Sequence, residues 1–341
     1  WVEPERVDLR TATTGTWKTD WLLTHDGRYS GPDFPQDTET AWLCYGDARA
    51  QEWAIDVIGE LVDSLDVEWL KWDSNYWDVC NNPNHGHGAG DGEEAQLAGV
   101  HHVWDALRKR FPNLIIENCA GGGTRMDFEM AAHSHVAWVD DASEPTARNR
   151  FHLEGASYLF PPVVLNSWVT ESRQENLNGR DLPEAVTKGI VRSRMLGALG
   201  FSCRMVEWLP ETKRVIAGSI AEYKTFRHLL KDGYVSHLLP QATLINPMLL
   251  SPHTWEAIQY RSKDASEAVI LAFRNLSADD ELVIRPKRLQ PDATYHVTGD
   301  AGFEQRASGQ ELMDGGLRVA IAPLTSALLR LNVDERHNTQ S

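Results

Sequence analysis

Residues 69–78 read WLKWDSNYWD. Trp69, Leu70 and Trp72 mark a buried strand, yet Lys71 and Asp73 sit inside it, with Asn75 two residues further on. Charged side chains are rarely buried without compensation. Side chains on a strand alternate faces, so Lys71 and Asp73, with Asn75 continuing the series, share one face while Leu70 and Trp72 share the other. An ammonium beside a carboxylate favours its ionised form. Such a carboxylate at the mouth of a parallel barrel suits nucleophilic attack on a glycoside. An internal ion pair that only sets register fits the same ten residues.

Working outward, strand and helix signals alternate. An apolar strand is expected at 41–46, then a helix over 51–65 with Ala54, Val57, Ile58, Leu61, Val62 and Leu65 on one face. The strand 67–72 leads through a glycine-rich loop to a helix at 93–111, stopped by Pro112 and Asn113 before a strand at 114–118. Short strands follow at 136–139, 163–165 and 199–205, with helices over 145–158, 184–197 and 211–231. This alternation means parallel βαβ units. No GxGxxG follows the first strand, which argues against a dinucleotide fold. Polar residues at the carboxyl ends of several strands favour a (β/α)8 TIM-type barrel. Beyond about residue 240, short alternating segments at 256–260, 267–274, 281–285, 294–298, 317–321 and 325–331 are separated by turn clusters, the signature of an antiparallel β domain. The expected division is a barrel over 1–240 and an antiparallel β-sandwich over 241–335.

The second carboxylate lies in AWVDDASEP, residues 137–145. Asp140 and Asp141 end an apolar strand, and neighbouring acids raise each other's proton affinity, which suits proton donation. An aspartate ahead of Ser143, Glu144 and Pro145 is equally a helix start. Alternation aims the two aspartates at opposite faces without saying which points inward. Between the acids, IENCAGGGTRMD (116–127) puts Glu117 and Cys119 on one face, then a triple-glycine turn. A phosphate loop needs Gly-Lys-Ser/Thr, and Thr124-Arg125 stands there instead. Bare amides and a thiol fit a sugar better.

The totals exclude several classes. Against 33 basic residues stand 49 acidic ones, a net charge of −16 over 341 residues, with no basic stripe, so nucleic acid is not an expected partner. No apolar run reaches membrane-spanning length, and no membrane partner is expected. Cys44, Cys80, Cys119 and Cys203 contain no CxxC pair and read as free, mostly buried thiols. In NNPNHGHGAGDG (81–92), His85-Gly86-His87 with Asp91 invites a zinc reading, but no third protein ligand is evident, and a substrate-proximal loop is the plainer one. No metal and no cofactor are therefore expected. Asn275-Leu276-Ser277 fits a glycosylation sequon by chance. Of the thirteen tryptophans, Trp53 and Trp104 sit at core spacing, while Trp77 and Trp168, near strand ends, are candidate sugar platforms.

Taken together, WVEPE, LKWDSN, ENCAGGGTRMD, WVDDASEPTAR and YLFPPVVLNSWVT, in this order, resemble the retaining α-galactosidases of glycoside hydrolase family 36. The resemblance covers residue 1 to about 205 and, more loosely, the β domain. It implies a (β/α)8 barrel with an antiparallel domain behind it. On that pattern Trp1 falls near the end of strand 2, strand 3 is 41–46 and strand 4 carries Asp73, with the first strand missing from this chain. The nucleophile falls on Asp73 and the acid/base on Asp141, since Trp138 and Arg148 then also match. Sugar contacts fall on Trp1, Lys71, Asn75, Cys119, Gly121, Gly122 and Arg148. The resemblance implies an exo-acting enzyme whose partner is an α-galactoside oligosaccharide or glycoconjugate. Homo-oligomers are compatible with it. An arginine usual before strand 3 falls on Thr40, and the paired aspartates of strand 1 have no counterpart. An α-N-acetylgalactosaminidase, a galactosyl-transferring relative, and a non-catalytic sugar-binding protein on the same fold are the alternatives.

Overall fold

The computed structural model describes residues 1–29, 39–75, 79–141, 146–170, 177–246, 249–251 and 253–334. They form two compact units, Trp1–Asp141 and Ala142–Ser341. No helix among the described residues is long and apolar enough to cross a membrane.

The first unit is built on three parallel strands, Trp69–Trp72, Ile115–Asn118 and Val136–Trp138, paired in that order. Between the first two runs the helix Gly92–Arg110, with Glu93 and Glu94 in its first turn and Arg108, Lys109 and Arg110 in its last, charges that complement its dipole. Gly99 on this helix is glycine for a steric reason: a Cβ there would lie 2.0 Å from the Tyr45 carbonyl oxygen. The helix Ala48–Leu65 is capped by the Asp47 carboxylate, which accepts from the Arg49 amide. Its buried face is Ala50, Ala54, Ile58 and Val62, whereas Val57 and Leu65, expected on that face, are exposed. Trp72 is the centre of the core. Its indole meets Tyr45 and Trp104 edge to face, with ring centroids 6.2 and 5.9 Å away. Its Nε1 donates to buried Glu5 at 2.9 Å, a carboxylate also held by Arg125 and Gln96.

One expected strand behaves differently. Residues Thr40–Trp42 do not join the parallel sheet. They pair antiparallel with Arg6–Asp8. The parallel neighbour on that side of Trp69–Trp72 is Val2, whose amide donates to Lys71 O and whose carbonyl accepts from the Asp73 amide, both at 2.9 Å. Glu3-Pro4 then turns the chain, and the run from Arg6 leaves the sheet direction.

The second unit contains the parallel pair Leu165–Thr170 and Ala198–Ser202. The strand expected at 163–165 begins only at Leu165, because Pro162–Val164 form a 3-10 turn. Helices Thr146–Ala156, Glu184–Arg194 and Pro210–Asp232 follow the expected order. A six-stranded antiparallel sheet then runs in the order 234–237, 255–261, 267–274, 325–333, 294–299, 304–308. Its first strand, Tyr234–His237, lies before residue 240, where the β domain was expected to begin. Ile284, Leu317 and Val319, from the two-stranded ladder 281–284 with 317–320, close its apolar core. A buried polar knot fastens the helices to this sheet: Arg150 donates to Glu256, Asn275 and Ser193. Asn275 spends its own amide on Thr254 and Glu256, which closes the sequon in the folded chain.

Candidate active site

The parallel register sets Lys71 directly opposite Glu117. Their side chains meet at 3.1 Å, both almost wholly buried, so the lysine's ion-pair partner is Glu117 on the next strand. Trp69 Nε1 donates to the other Glu117 oxygen at 2.8 Å. The Lys71 ammonium is also held between two indole faces, 4.5 Å from the Trp1 ring centroid and 4.3 Å from that of Trp138. Trp1 is 70% exposed, so much of its surface stays open to solvent. Glu117 was noticed in the sequence only as a neighbour of Cys119. A second charge at mid-strand was the signal, but its partner depends on register.

Asp73 follows where the strand ends and is 4% exposed. Its Oδ1 is buried and, among the described residues, accepts no hydrogen bond. Buried carboxylate oxygens without donors are uncommon and call for a functional explanation. Cys119 lies beside it. The Ser74 amide donates to the Cys119 carbonyl, and the Cys119 amide to Trp72 O. Burial first, then the Asp73 charge, push the Cys119 thiol up to about 12, so it stays protonated and is not a thiolate nucleophile. Asn75, two residues past Asp73, is exposed.

The glycine turn has a structural cause that the sequence did not disclose. Gly121 and Gly122 take left-handed φ values of 51° and 85°. A Cβ on Gly122 would lie 3.0 Å from the Asp141 amide nitrogen, and one on Gly123 would lie 2.3 Å from Val139 O. The turn is bare because the backbone of residues 139–141 passes directly over it. Trp138 ties that segment to the lysine: its Nε1 donates to Asp141 Oδ1 at 2.7 Å while its ring face covers Lys71. Asp141 is exposed and Asp140 half-buried. Trp138 therefore links Lys71 to Asp141, while Cys119 lies beside Asp73.

The structure thus gathers Trp1, Lys71, Asp73, Cys119, Gly121, Gly122 and Asp141. Arg148 and Trp168 lie in the second unit, on the helix Thr146–Ala156 and the strand Leu165–Thr170; Trp168 covers Gly200. Trp77 is outside the described residues. Beside Trp1, a cleft of about 620 Å³ is lined in part by Thr40, Arg6 and Arg10, so cationic groups stand near the position where an arginine was missed. A larger groove of about 880 Å³ along Trp53, Val57 and Leu61 contains none of these site residues.

Comparison with known proteins follows this geometry. The melibiase family model matches residues 1–233, and that of the glycosyl hydrolase family 36 C-terminal domain matches residues 255–331. Probable alpha-galactosidase C of Aspergillus terreus is 26% identical over 324 residues, 93% of this chain and 39% of the relative. Alpha-galactosidase 2 of Pediococcus pentosaceus is 27% identical over 229 residues, 67% of this chain and 30% of that one. The solved alpha-galactosidase of Lactobacillus brevis superposes with a TM-score of 0.81 at 20% identity, covering 100% of this chain and 45% of that chain. A family 36 alpha-galactosidase of Geobacillus stearothermophilus, solved in complex with stachyose, gives 0.80 at 22% identity over 98% of this chain and 44% of its own. The chain spans less than half the length of these relatives. The fold class is the one read from the sequence, a TIM-type barrel followed by a C-terminal antiparallel β domain.

Proposed function

Because the chain belongs to the melibiase family, we propose that it carries the catalytic centre of a retaining, exo-acting α-galactosidase. The observation that carries this reading is the buried Oδ1 of Asp73, which accepts no hydrogen bond among the described residues. Asp73 attacks the anomeric carbon as Asp141 protonates the departing oxygen. Asp141 then takes a proton from the water that releases the sugar. A carboxylate oxygen without hydrogen bonds is the better nucleophile, since none must be broken as the bond forms.

In this reading the open surface of Trp1 stacks on the sugar, and Asn75 and the amides of Gly121 and Gly122 meet its hydroxyls. Lys71, fixed by Glu117 and two indoles, and the protonated thiol of Cys119 orient the glycon and Asp73. The substrate is an oligosaccharide or glycoconjugate ending in α-galactose; complexes of relatives with stachyose and raffinose support that class. The test is Asp73→Asn in the full chain, assayed on an aryl α-galactoside. Hydrolysis should fall by several orders of magnitude while the fold, followed by circular dichroism, is retained. Undiminished hydrolysis refutes the assignment.

A further inference from the structure

The His-Gly-His of residues 81–92 lacks further ligands only along the chain. In the fold, Cys44 and Cys80 come to it. Both Sγ atoms and one ring nitrogen from each of His85 and His87 lie within 4.8 Å of one another. Cys80 Sγ is 3.3 Å from His85 Nδ1, and Cys44 Sγ is 3.4 Å from His87 Nε2. A tetrahedral zinc with Zn–S of about 2.3 Å and Zn–N of about 2.05 Å sets adjacent sulfur and nitrogen ligands about 3.5 Å apart. The spacing already approaches that of a coordination sphere.

The opposite ring nitrogens give an independent indication. His85 Nε2 lies 2.9 Å from the Asp20 carbonyl, nearer than the Asn82 amide at 3.1 Å, and His87 Nδ1 lies 2.9 Å from the Gly88 carbonyl. Carbonyls only accept, so these nitrogens carry the protons. The nitrogens facing the sulfurs are then left with lone pairs, the tautomers and outer contacts that metal-bound histidines show. Two glycines serve this arrangement. Gly86, with φ 79°, turns both histidines to one centre, and a Cβ on Gly46 would meet the His87 ring at 2.5 Å.

We propose that Cys44, Cys80, His85 and His87 bind one zinc ion in a closed, four-ligand structural site. Binding releases the two thiol protons to solvent and leaves no open position for substrate, so the ion has no part in the hydrolysis itself. It fastens the loop that follows the Asp73 strand to the segment entering helix Ala48–Leu65. It stands or falls independently of the proposed activity.

The test is metal analysis of the purified full chain, followed by exchange of the native metal for cobalt(II). The expected result is one zinc per chain after dialysis, and a cobalt form with intense tetrahedral visible bands plus a thiolate charge-transfer band. His87→Ala, at the half-exposed rim, should fold and weaken zinc binding by more than ~100-fold in chelator competition, beyond the loss of an outer contact. Cys80→Ser should remove the charge-transfer contribution of one thiolate. Glu129→Gln, in a separate His101–His133 cluster, should leave the zinc content unchanged. If Cys80→Ser does not fold, the cobalt spectrum of the unaltered chain still decides. Absence of stoichiometric zinc together with a cobalt form lacking thiolate bands overturns the proposal, as does a Cys44–Cys80 disulfide in peptide maps of the native chain.

Discussion

Replacing Lys71 by methionine keeps most of the stem's volume and removes the charge from a site that is 3% exposed. At the observed 3.1 Å the pair attracts by about 5 kcal/mol at an effective dielectric of 20. The buried Trp138 face adds about 2 kcal/mol and the largely exposed Trp1 face about 0.5–1 kcal/mol. Against these stand desolvation costs of several kcal/mol per ion. The intact pair is therefore close to neutral relative to an apolar replacement, but breaking it is not. Lys71→Met leaves the Glu117 carboxylate fully buried with, among the described residues, the Trp69 N–H as its hydrogen-bond donor. The expected loss is about 3–5 kcal/mol, a fall in Tm of about 4–7 °C for a chain of this length. Lys71→Met/Glu117→Gln should regain most of that stability. Urea and thermal unfolding of the four proteins in the cycle measure the coupling, and aryl α-galactoside hydrolysis reads the second role. A double variant that folds well yet hydrolyses poorly places Lys71 on the sugar; recovery of hydrolysis confines it to the fold. A single variant as stable as the parent within about 0.5 kcal/mol refutes the ion-pair argument.

Asp141→Asn should lose about 10²–10⁴-fold on glycosides with poor leaving groups and much less on dinitrophenyl glycosides, where no proton need be delivered; equal losses on both count against its acid role. Gly123→Ala puts a Cβ 2.3 Å from the Val139 oxygen and must displace the segment bearing Asp141, so hydrolysis should drop at least ~10-fold with little change in far-ultraviolet circular dichroism. Unchanged kinetics would show that the turn does not position the acid. Burial, then the charge of Glu256, outweigh Arg150 and push Glu154 up to about 8. The folded chain thus keeps this proton where the unfolded chain has lost it. The associated stability is complete below the ordinary value of 4.5 and disappears as pH rises through about 8. Tm should accordingly be higher at pH 6 than at pH 9, and Glu154→Gln should flatten that difference; an unaltered profile contradicts the shift.

Much of this molecule was legible along the chain because its strands and helices carry clear periods. The helix Gly92–Arg110 begins and ends within a residue of expectation, since Pro112 and the basic last turn mark its close. Asp73 and Lys71 stood out because charge interrupted an apolar run. What stayed hidden depends on pairings between distant residues. The partner of Lys71 is set by parallel register, 46 positions away. The glycines at 122 and 123 look like ligand-binding bareness until the backbone of 139–141 is seen lying on them. Thr40–Trp42 is apolar enough for a parallel strand, and only its ladder with Arg6–Asp8 reveals the other direction. The strand Glu304–Ser308 escaped because its alternating residues are mostly polar and it lies at a sheet edge. Cys44 and Cys80, 36 positions apart, carry no spacing rule that would announce their meeting with His85 and His87.

Trp138 touches Lys71 through its ring and Asp141 through its N–H. A drift in its rotamer would disturb the Lys71 ammonium and the Asp141 carboxylate at once, so variation next to it must be filtered through a single indole. Anyone grafting the segment that bears Asp141 from a homologue to alter leaving-group preference should transplant the tryptophan and the glycines beneath it as one cassette, because the aspartate alone would arrive without its mount.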